Sequence, residues 1–309
     1  MIGCITAVLV GCTAAGHPNG ADAPTATSTH LGPVTGLAAF GDGIAACSQR
    51  GVWSGDRWLD PGFRPVALTA HGEVLLVGGG VPAERGDIAL FDRAGRNLAH
   101  RRIADDLVYA VALDPPRNRA AAGCADGSVL LLELPSLAVR QRLTRHTAPC
   151  RALAFSIDGK TLASGGRDGL VILHRLDLGT HASLADHTAA VECLMFDGAK
   201  LLSGAADGKV RVHEGTRLRR SYLGLPSTVV ALVCRGPGSG VVAGLADGGL
   251  IELQADGDGH RSLRQTESAV FSLLATERQL LVGHLGGYQS LAWPTDHASI
   301  TTSRRQRRP

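Results

Sequence analysis

Aromatic residues and long hydrophobic runs are both scarce in this chain of 309 residues. Phe, Trp and Tyr together make up 4% of it, and no run after the N-terminus approaches the roughly eighteen apolar residues of a membrane span. The formal net charge of +3 is close to balanced, which does not favour a nucleic-acid partner for the body of the chain. We therefore expect neither a membrane-spanning helix nor nucleic-acid binding.

Motifs for catalysis, metals and cofactors are also missing from the sequence. It contains no HExxH, GxSxG, P-loop or CxxCH motif, and its seven cysteines form no CxxC pair. Most of these cysteines lie in apolar strand patterns, where cysteine acts as a small hydrophobe. We predict a protein that is not an enzyme and binds no metal or cofactor, with reduced thiols typical of the cytoplasm.

The two ends of the chain differ in composition from the rest. Residues 1–29 combine an apolar start with a linker rich in Ala, Thr and Pro, and the sequence LVGC ending at Cys12 resembles a bacterial lipoprotein cleavage site. No Lys or Arg precedes this apolar run, and it is short for a signal peptide. Anchoring at Cys12 is therefore the alternative to a cytoplasmic location. Residues 303–309 form a basic tail, either solvated or able to dock to an acidic partner or a membrane surface.

A repeated pattern dominates the middle of the chain. Four segments read small-Gly-x-x-Asp-Gly followed by alternating apolar residues: AGCADGSVLLL (122–132), SGGRDGLVILH (164–174), SGAADGKVRVH (203–213) and AGLADGGLIEL (243–253). Their aspartates, Asp126, Asp168, Asp207 and Asp247, are 42, 39 and 40 residues apart. An Asp-Gly between two apolar runs is a strong signal for a β-hairpin. The period is that of a four-stranded propeller blade.

Weaker copies near positions 50, 85 and 286 bring the total to seven. An apolar strand precedes each copy, and we align these strands at Val34/Leu37, Phe63/Val66/Leu68, Val108/Val111/Leu113, Cys150/Leu153/Phe155, Val191/Leu194/Phe196, Val229/Leu232/Cys234 and Val270/Leu273. One four-stranded sheet cannot bury both of its faces, whereas seven sheets closed into a ring can. We predict an all-β, seven-bladed β-propeller over residues 30–302. Its last strand comes from residues 296–302, which we favour, or from residues 23–30.

The repeat resembles the WD40 family over residues 31–300. In that family a His, a Ser or Thr, an Asp and a Trp form a hydrogen-bonded network in each blade. The resemblance implies this structural network for His146, Ser164 and Asp168 in one blade, and for His187, Ser203 and Asp207 in the next. His174 and His213 occupy the Trp positions, so we expect an altered network there. A metal bridge between these two histidines is the weaker alternative to simple packing.

The resemblance also implies that partner proteins dock where the first strands begin. Matching the repeats places Thr35, Arg64, Tyr109, Arg151, Glu192, Val230 and Phe271 at those positions, with Glu84 and Arg167 beside the neighbouring hairpins. Arginines and exposed aromatic residues are enriched in binding hot spots. We expect Arg64, Arg151 and Arg167 to share one face and to attract an acidic segment; the alternative is an ordinary solvated rim.

Three functions are consistent with these features. The favoured one is a non-catalytic protein-interaction scaffold, monomeric within a multiprotein complex, and the Ala-, Arg- and Gly-rich composition suggests a bacterial source. A lipid-anchored envelope scaffold would share the fold and differ in location. A propeller enzyme with a site in the axial channel is the third, but its acidic or His ligands have no counterpart among the apolar innermost strands.

Overall fold

The chain folds into short antiparallel β-strands joined by tight turns. The computed structural model describes residues 31–55, 57–236, 239–254, 259–277 and 279–293. Its strands are β1 (Val34–Phe40), β2 (Gly43–Ser48), β3 (Gly51–Ser54), β4 (Arg57–Leu59), β5 (Pro65–His71), β6 (Val74–Val81), β7 (Arg85–Asp92), β8 (Asn97–Ala104), β9 (Val108–Asp114), β10 (Arg119–Cys124), β11 (Ser128–Glu133), β12 (Ala138–Thr144), β13 (Cys150–Phe155), β14 (Thr161–Gly166), β15 (Val171–Arg175), β16 (Thr180–Leu184), β17 (Val191–Asp197), β18 (Lys200–Ala205), β19 (Val210–Glu214), β20 (Arg217–Tyr222), β21 (Val229–Cys234), β22 (Val241–Leu245), β23 (Gly249–Leu253), β24 (His260–Gln265), β25 (Val270–Ala275), β26 (Gln279–His284) and β27 (Gly287–Ala292). In these ranges the only helix is one 3₁₀ turn, Pro115–Arg117, and no helix is long and apolar enough to cross a membrane.

Consecutive strands pair with one another to form seven separate sheets. Blade 1 contains β1–β4, blade 2 β5–β8, blade 3 β9–β12, blade 4 β13–β16, blade 5 β17–β20, blade 6 β21–β24 and blade 7 β25–β27. Blade 7 therefore shows three strands within the described part of the chain. Both candidates for its fourth strand, residues 296–302 and 23–30, lie outside the described residues, as do Cys12 and the basic tail.

The blades close into a ring through their innermost strands. Each innermost strand packs against the next, and β1 packs against β25. The Ser272 hydroxyl of blade 7 donates a hydrogen bond to the Val34 carbonyl of blade 1 at 3.4 Å. Apolar side chains fill the spaces between blades; Phe40 of blade 1, for example, packs with Leu75 and Phe91 of blade 2. The predicted seven-bladed β-propeller is confirmed.

Aspartate and glycine together shape the hairpin between the second and third strands. Asp126 Oδ1 accepts a hydrogen bond from Ser128 N at 2.9 Å, and Asp247 Oδ1 accepts one from Gly249 N at 3.0 Å. Gly127 has a φ of +82°, and a Cβ there would lie 2.7 Å from the His146 carbonyl oxygen. Glycine is required at this position because a side chain would be strained and would also collide with the backbone.

Candidate functional site

Four side chains of blade 4 form a continuous hydrogen-bonded chain. His146 Nδ1 lies 3.1 Å from both Asp168 oxygens, and its Nε2 lies 2.8 Å from Ser164 Oγ. His174 Nε2 lies 2.9 Å from the same hydroxyl oxygen. A carboxylate accepts hydrogen bonds, so His146 donates from Nδ1 and accepts from Ser164 at Nε2. Ser164 Oγ then accepts from the Nε2–H of His174, which supplies the N–H donor that the family's Trp supplies.

Burial keeps the two histidines of this network, His146 and His174, neutral. Desolvation lowers the pKa of His146, against the opposing effect of Asp168. Desolvation, with smaller contributions from His146, His181 and Arg145, lowers the pKa of His174 to about 4. Neutral imidazoles fit the direction of the hydrogen bonds, because each ring has one donor and one acceptor.

Blade 5 repeats the network with one difference. His187 Nδ1 lies 3.2 Å from both Asp207 oxygens, and its Nε2 lies 2.8 Å from Ser203 Oγ. His213, however, contacts Asp186 Oδ2 at 2.9 Å, and its Nδ1 has no hydrogen-bond partner among the described residues.

The residue before the network histidine accounts for this difference. It is Arg145 in blade 4 and Asp186 in blade 5. A carboxylate attracts the imidazole N–H of the third strand, whereas an arginine offers it no acceptor. His174 and His213 hydrogen-bond to different groups of their own networks, and no three His, Cys, Asp or Glu side chains in the described ranges are grouped to hold a metal ion.

The order Ser–His–Asp in both networks is also that of a hydrolase triad. Ser164 and Ser203 are both 0% exposed. A nucleophile must reach its substrate, and burial closes these hydroxyls off from the surface. A substrate therefore cannot reach either serine. Through their hydrogen bonds, the two networks hold each hairpin to the loop that leads into its blade.

A β-bulge marks the start of every innermost strand. In each blade the pairing with the second strand shifts by one residue at the same place. The seven bulged residues are Thr35, Val66, Tyr109, Arg151, Glu192, Val230 and Phe271. Because two residues of a bulged strand oppose one on its partner, the bulge redirects a side chain out of the regular ladder. We call these seven residues the bulge ring.

The sequence alignment placed Arg64 at the start of the first strand of blade 2, equivalent to Arg151. The structure places Val66 there, two residues later, so Arg64 lies outside the bulge ring. Pro65 pairs with Gly79 as Cys150 pairs with Gly166 in blade 4. The alignment on Phe63/Val66/Leu68 is therefore two residues early. Proline hid the register, because the other blades have an apolar Val or Cys at that position. Phe63 packs instead in the core between blades 1 and 2.

Three neighbouring members of the bulge ring contact one another across blades 3, 4 and 5. Arg151 Nε lies 3.1 Å from Glu192 Oε2, and the Arg151 guanidinium carbon lies 5.3 Å from the centre of the Tyr109 ring. The side chains of Arg151 and Glu192 are only 14% and 11% exposed. Burial lowers the pKa of Arg151 and raises that of Glu192, and the attraction between the two charges opposes both shifts. We call Tyr109, Arg151 and Glu192 the charged arc.

Arg167 lies beside the charged arc at the tip of the adjacent hairpin. It is exposed, and its charge acts on the pKa of Tyr109, Arg151 and Glu192. Its guanidinium has no hydrogen bond or ion pair with any described residue. Of the three arginines that we expected on one face, Arg151 is thus neutralised by Glu192, and Arg167 is the exposed cation beside it.

The remaining bulge-ring residues, at the channel mouth of blades 1, 2, 6 and 7, carry no charge. Val230 is buried, and Phe271 is 5% exposed, contrary to our expectation of an exposed aromatic residue. The Thr35 hydroxyl is near the Val66 carbonyl, at 3.4 Å. Glu84 lies in the longer hairpin of blade 2, where its backbone N–H bonds to the Val81 carbonyl.

Comparisons with known proteins agree with this geometry. The family described as WD domain, G-beta repeat matches residues 138–175 and 180–214. These residues contain the outer strand of blade 3, all four strands of blade 4 and the first three strands of blade 5. WD repeat-containing protein 90 of Homo sapiens is 36% identical over 118 residues, which cover 34% of this chain and 7% of that protein. Apoptotic protease-activating factor 1 of Mus musculus is 30% identical over 106 residues, covering 34% of this chain and 8% of that protein.

Over the regions compared, this chain therefore spans less than a tenth of the length of these two relatives. A crystal structure of the computationally designed Ika8 protein superposes with a TM-score of 0.63 at 20% identity, covering 86% of this chain and 98% of that one. This similarity supports the fold alone. Together, the period of the repeats, the seven-bladed ring, the matched repeats and the WD-repeat relatives support the WD40-repeat family for this chain.

Proposed function

We propose that this chain is a non-catalytic scaffold that binds an acidic segment of a partner protein at the channel mouth of blades 3 to 5. Its WD40 fold and its WD-repeat relatives support a role in protein interaction in general. The finer proposal rests on one observation, the exposed Arg167 beside the charged arc. The arc and Arg167 together carry one net positive charge, from two arginines and one glutamate.

The charged arc is suited to binding because it is already ordered. Arg151 is held from both sides by Tyr109 and Glu192, which come from the two neighbouring blades. A partner that docks here need not immobilise these side chains, so less entropy is lost on binding. Arg167 supplies the charge that attracts a carboxylate, and Tyr109 supplies a rigid aromatic surface.

Charge reversal at Arg167 tests this function. Arg167→Glu is expected to weaken partner capture about tenfold or more, because an attraction becomes a repulsion. The full chain, immobilised and incubated with lysate of the cells that produce it, is compared with the variant by quantitative mass spectrometry. Arg151 is left unchanged, since its removal would leave the buried Glu192 without its counter-charge.

Arg217→Glu is the matched control. Arg217 is also exposed, but it begins the outer strand of blade 5 at the opposite face. The proposal requires that this variant capture the same protein as the unchanged chain, and that rising salt weaken the capture. Equal capture by Arg167→Glu and the unchanged chain would refute the proposed site.

A further inference from the structure

The outer strand of each blade is a sheet edge, and the outward N–H and C=O groups of an edge can pair with another strand. Six outer strands lie in the described part of the chain: β4, β8, β12, β16, β20 and β24. Proteins protect such edges with charged side chains, with bulges or by keeping the strand very short. A comparison of the six strands therefore shows which edges are closed to pairing and which are open.

Five of the six edges carry this protection. Arginines occur on all five: Arg57 on β4, Arg101 and Arg102 on β8, Arg140 and Arg142 on β12, Arg217, Arg219 and Arg220 on β20, and Arg261 and Arg264 on β24. The pairing of β8, β12, β20 and β24 with the third strand also shifts register at a bulge, and β4 has only three residues. Charge and shape therefore keep another strand away from these five edges.

The outer strand of blade 4, β16, lacks all of this protection. Its five residues, THASL (180–184), include no Asp, Glu, Lys, Arg or Pro, and its pairing with β15 shows no register shift. Thr180, His181 and Ser183 are exposed, which leaves the edge open to solvent. Leu178, in the hairpin directly before β16, adds an apolar side chain that is 63% exposed. We therefore regard β16 as the open edge among the described outer strands.

Charges near the ends of β16 balance one another. Before the strand, Arg175 and Asp177 form an ion pair at 3.4 Å. After it, the Asp186 carboxylate accepts a hydrogen bond from an imidazole of blade 5 at 2.9 Å. Arg145, in the loop that leads into blade 4, is near enough to act on the pKa of His174. With two arginines and two aspartates around it, the edge has no net charge and suits an uncharged strand.

A second copy of β16 is such a strand. In an antiparallel pair about a two-fold axis at Ala182, Thr180 lies opposite Leu184 of the other copy, and His181 lies opposite Ser183 of the other copy. An imidazole and a hydroxyl can hydrogen-bond across the pair, and a small residue at the axis avoids a clash between identical side chains. The same arrangement at β8, β12, β20 or β24 would set arginines against arginines, which repel.

We propose that this protein forms a two-fold symmetric dimer through antiparallel pairing of β16 with β16 of a second copy, which joins blade 4 of each copy into one eight-stranded sheet. The outer edge is separate from the channel mouth, so this inference goes beyond the proposed function and does not depend on it. The dimer replaces the monomer that the sequence led us to expect. Because five residues per copy make a small interface, the dimer is weak and reversible.

Sedimentation velocity of the purified full chain tests the dimer. Between about 5 and 500 µM the average mass should rise from that of one chain towards that of two, as expected for a small interface. The double variant His181→Arg/Ser183→Arg gives β16 the arginines of the other edges and should raise the dissociation constant about tenfold or more. His260→Arg/Ser262→Arg is the matched control, because it makes the same two changes at exposed positions of β24 and should leave the dimer unchanged.

A disulfide then locates the interface. Ala182→Cys places one thiol of each copy at the axis, with about 4.5–5.5 Å between the Cβ atoms. Diamide, a thiol oxidant, should therefore link two copies of this variant after a small adjustment. It should link neither the unchanged chain nor Ser262→Cys, whose cysteine would lie on β24.

Circular dichroism checks that every variant keeps its strand content. A monomer at every concentration, an equally strong dimer in the β16 double variant, or equal crosslinking of Ala182→Cys and Ser262→Cys would overturn the inference. Capture through Arg167 should be unchanged in the β16 double variant, so the dimer and the proposed function succeed or fail separately.

Discussion

Replacing the network serine in blade 4 and its counterpart in blade 5 should cost different amounts of stability. Ser164 Oγ serves two imidazoles, His146 and His174, at 2.8 and 2.9 Å. Ser203 Oγ serves only His187 among the described residues, at 2.8 Å. Ser164→Ala therefore leaves two buried ring nitrogens without a partner, and Ser203→Ala leaves one.

The magnitude follows from the cost of an unpaired buried polar group, about 1–3 kcal/mol. We expect Ser164→Ala to lower the free energy of unfolding by about 2–6 kcal/mol, and Ser203→Ala by about 1–3 kcal/mol. The comparison is closely matched, because both serines are 0% exposed and occupy the same register in adjacent blades.

Urea denaturation measures the difference. Tryptophan fluorescence and circular dichroism should give coincident transitions, which justifies a single free energy of unfolding. Ser183→Ala, at an exposed serine of β16, is expected to change stability by less than about 0.5 kcal/mol. Equal losses for Ser164→Ala and Ser203→Ala, or a larger loss in blade 5, would refute the assignment of the hydrogen bonds.

Two further predictions concern buried titrating groups. Burial lowers the pKa of His174 to about 4, below its value of 6.5 in the unfolded chain, so the unfolded state takes up the proton first. The stability that this residue contributes is therefore complete above about pH 6.5 and is lost as the pH falls towards 4, by roughly 3 kcal/mol in all. Urea midpoints at several pH values should show this fall in the unchanged chain and a smaller one in His174→Gln; parallel curves would count against it. Burial also raises the pKa of the Cys47 and Cys124 thiols to about 12 and 11. At pH 8 iodoacetamide should leave both unlabelled until guanidinium unfolds the chain, as peptide mass spectrometry would report, and rapid labelling of the folded protein would contradict their placement.

The repeat predicted the fold because its signals are local. Asp-Gly turns and the apolar residues around them specify each hairpin without reference to the rest of the chain. In blade 2 these local signals did not give the correct register of the first strand. Pro65 occupies a position that the other blades fill with Val or Cys, and the apolar Phe63 two residues earlier offered a false register.

The site was less predictable, because it depends on contacts between blades. The sequence placed Tyr109, Arg151 and Glu192 at equivalent positions, and adjacent blades in a ring bring such positions together. That reasoning could have found the pair of Arg151 with Glu192. The burial of Phe271 and the turn of His213 towards Asp186 depend on side-chain packing, for which the repeat carries no signal.

The bulge ring allows the side chains at the start of the innermost strands to vary while the apolar packing between blades is kept. Next to each bulge, the innermost strand keeps its apolar residues, such as Val108 and Val111, in the wedge between blades. At the bulge itself the chain has Thr, Val, Tyr, Arg, Glu, Val and Phe in turn. Such variety among otherwise similar repeats means that these seven positions can be altered without redesigning the wedge, provided that Arg151 and Glu192 are changed together. A combinatorial library confined to them should yield folded proteins with new binding preferences.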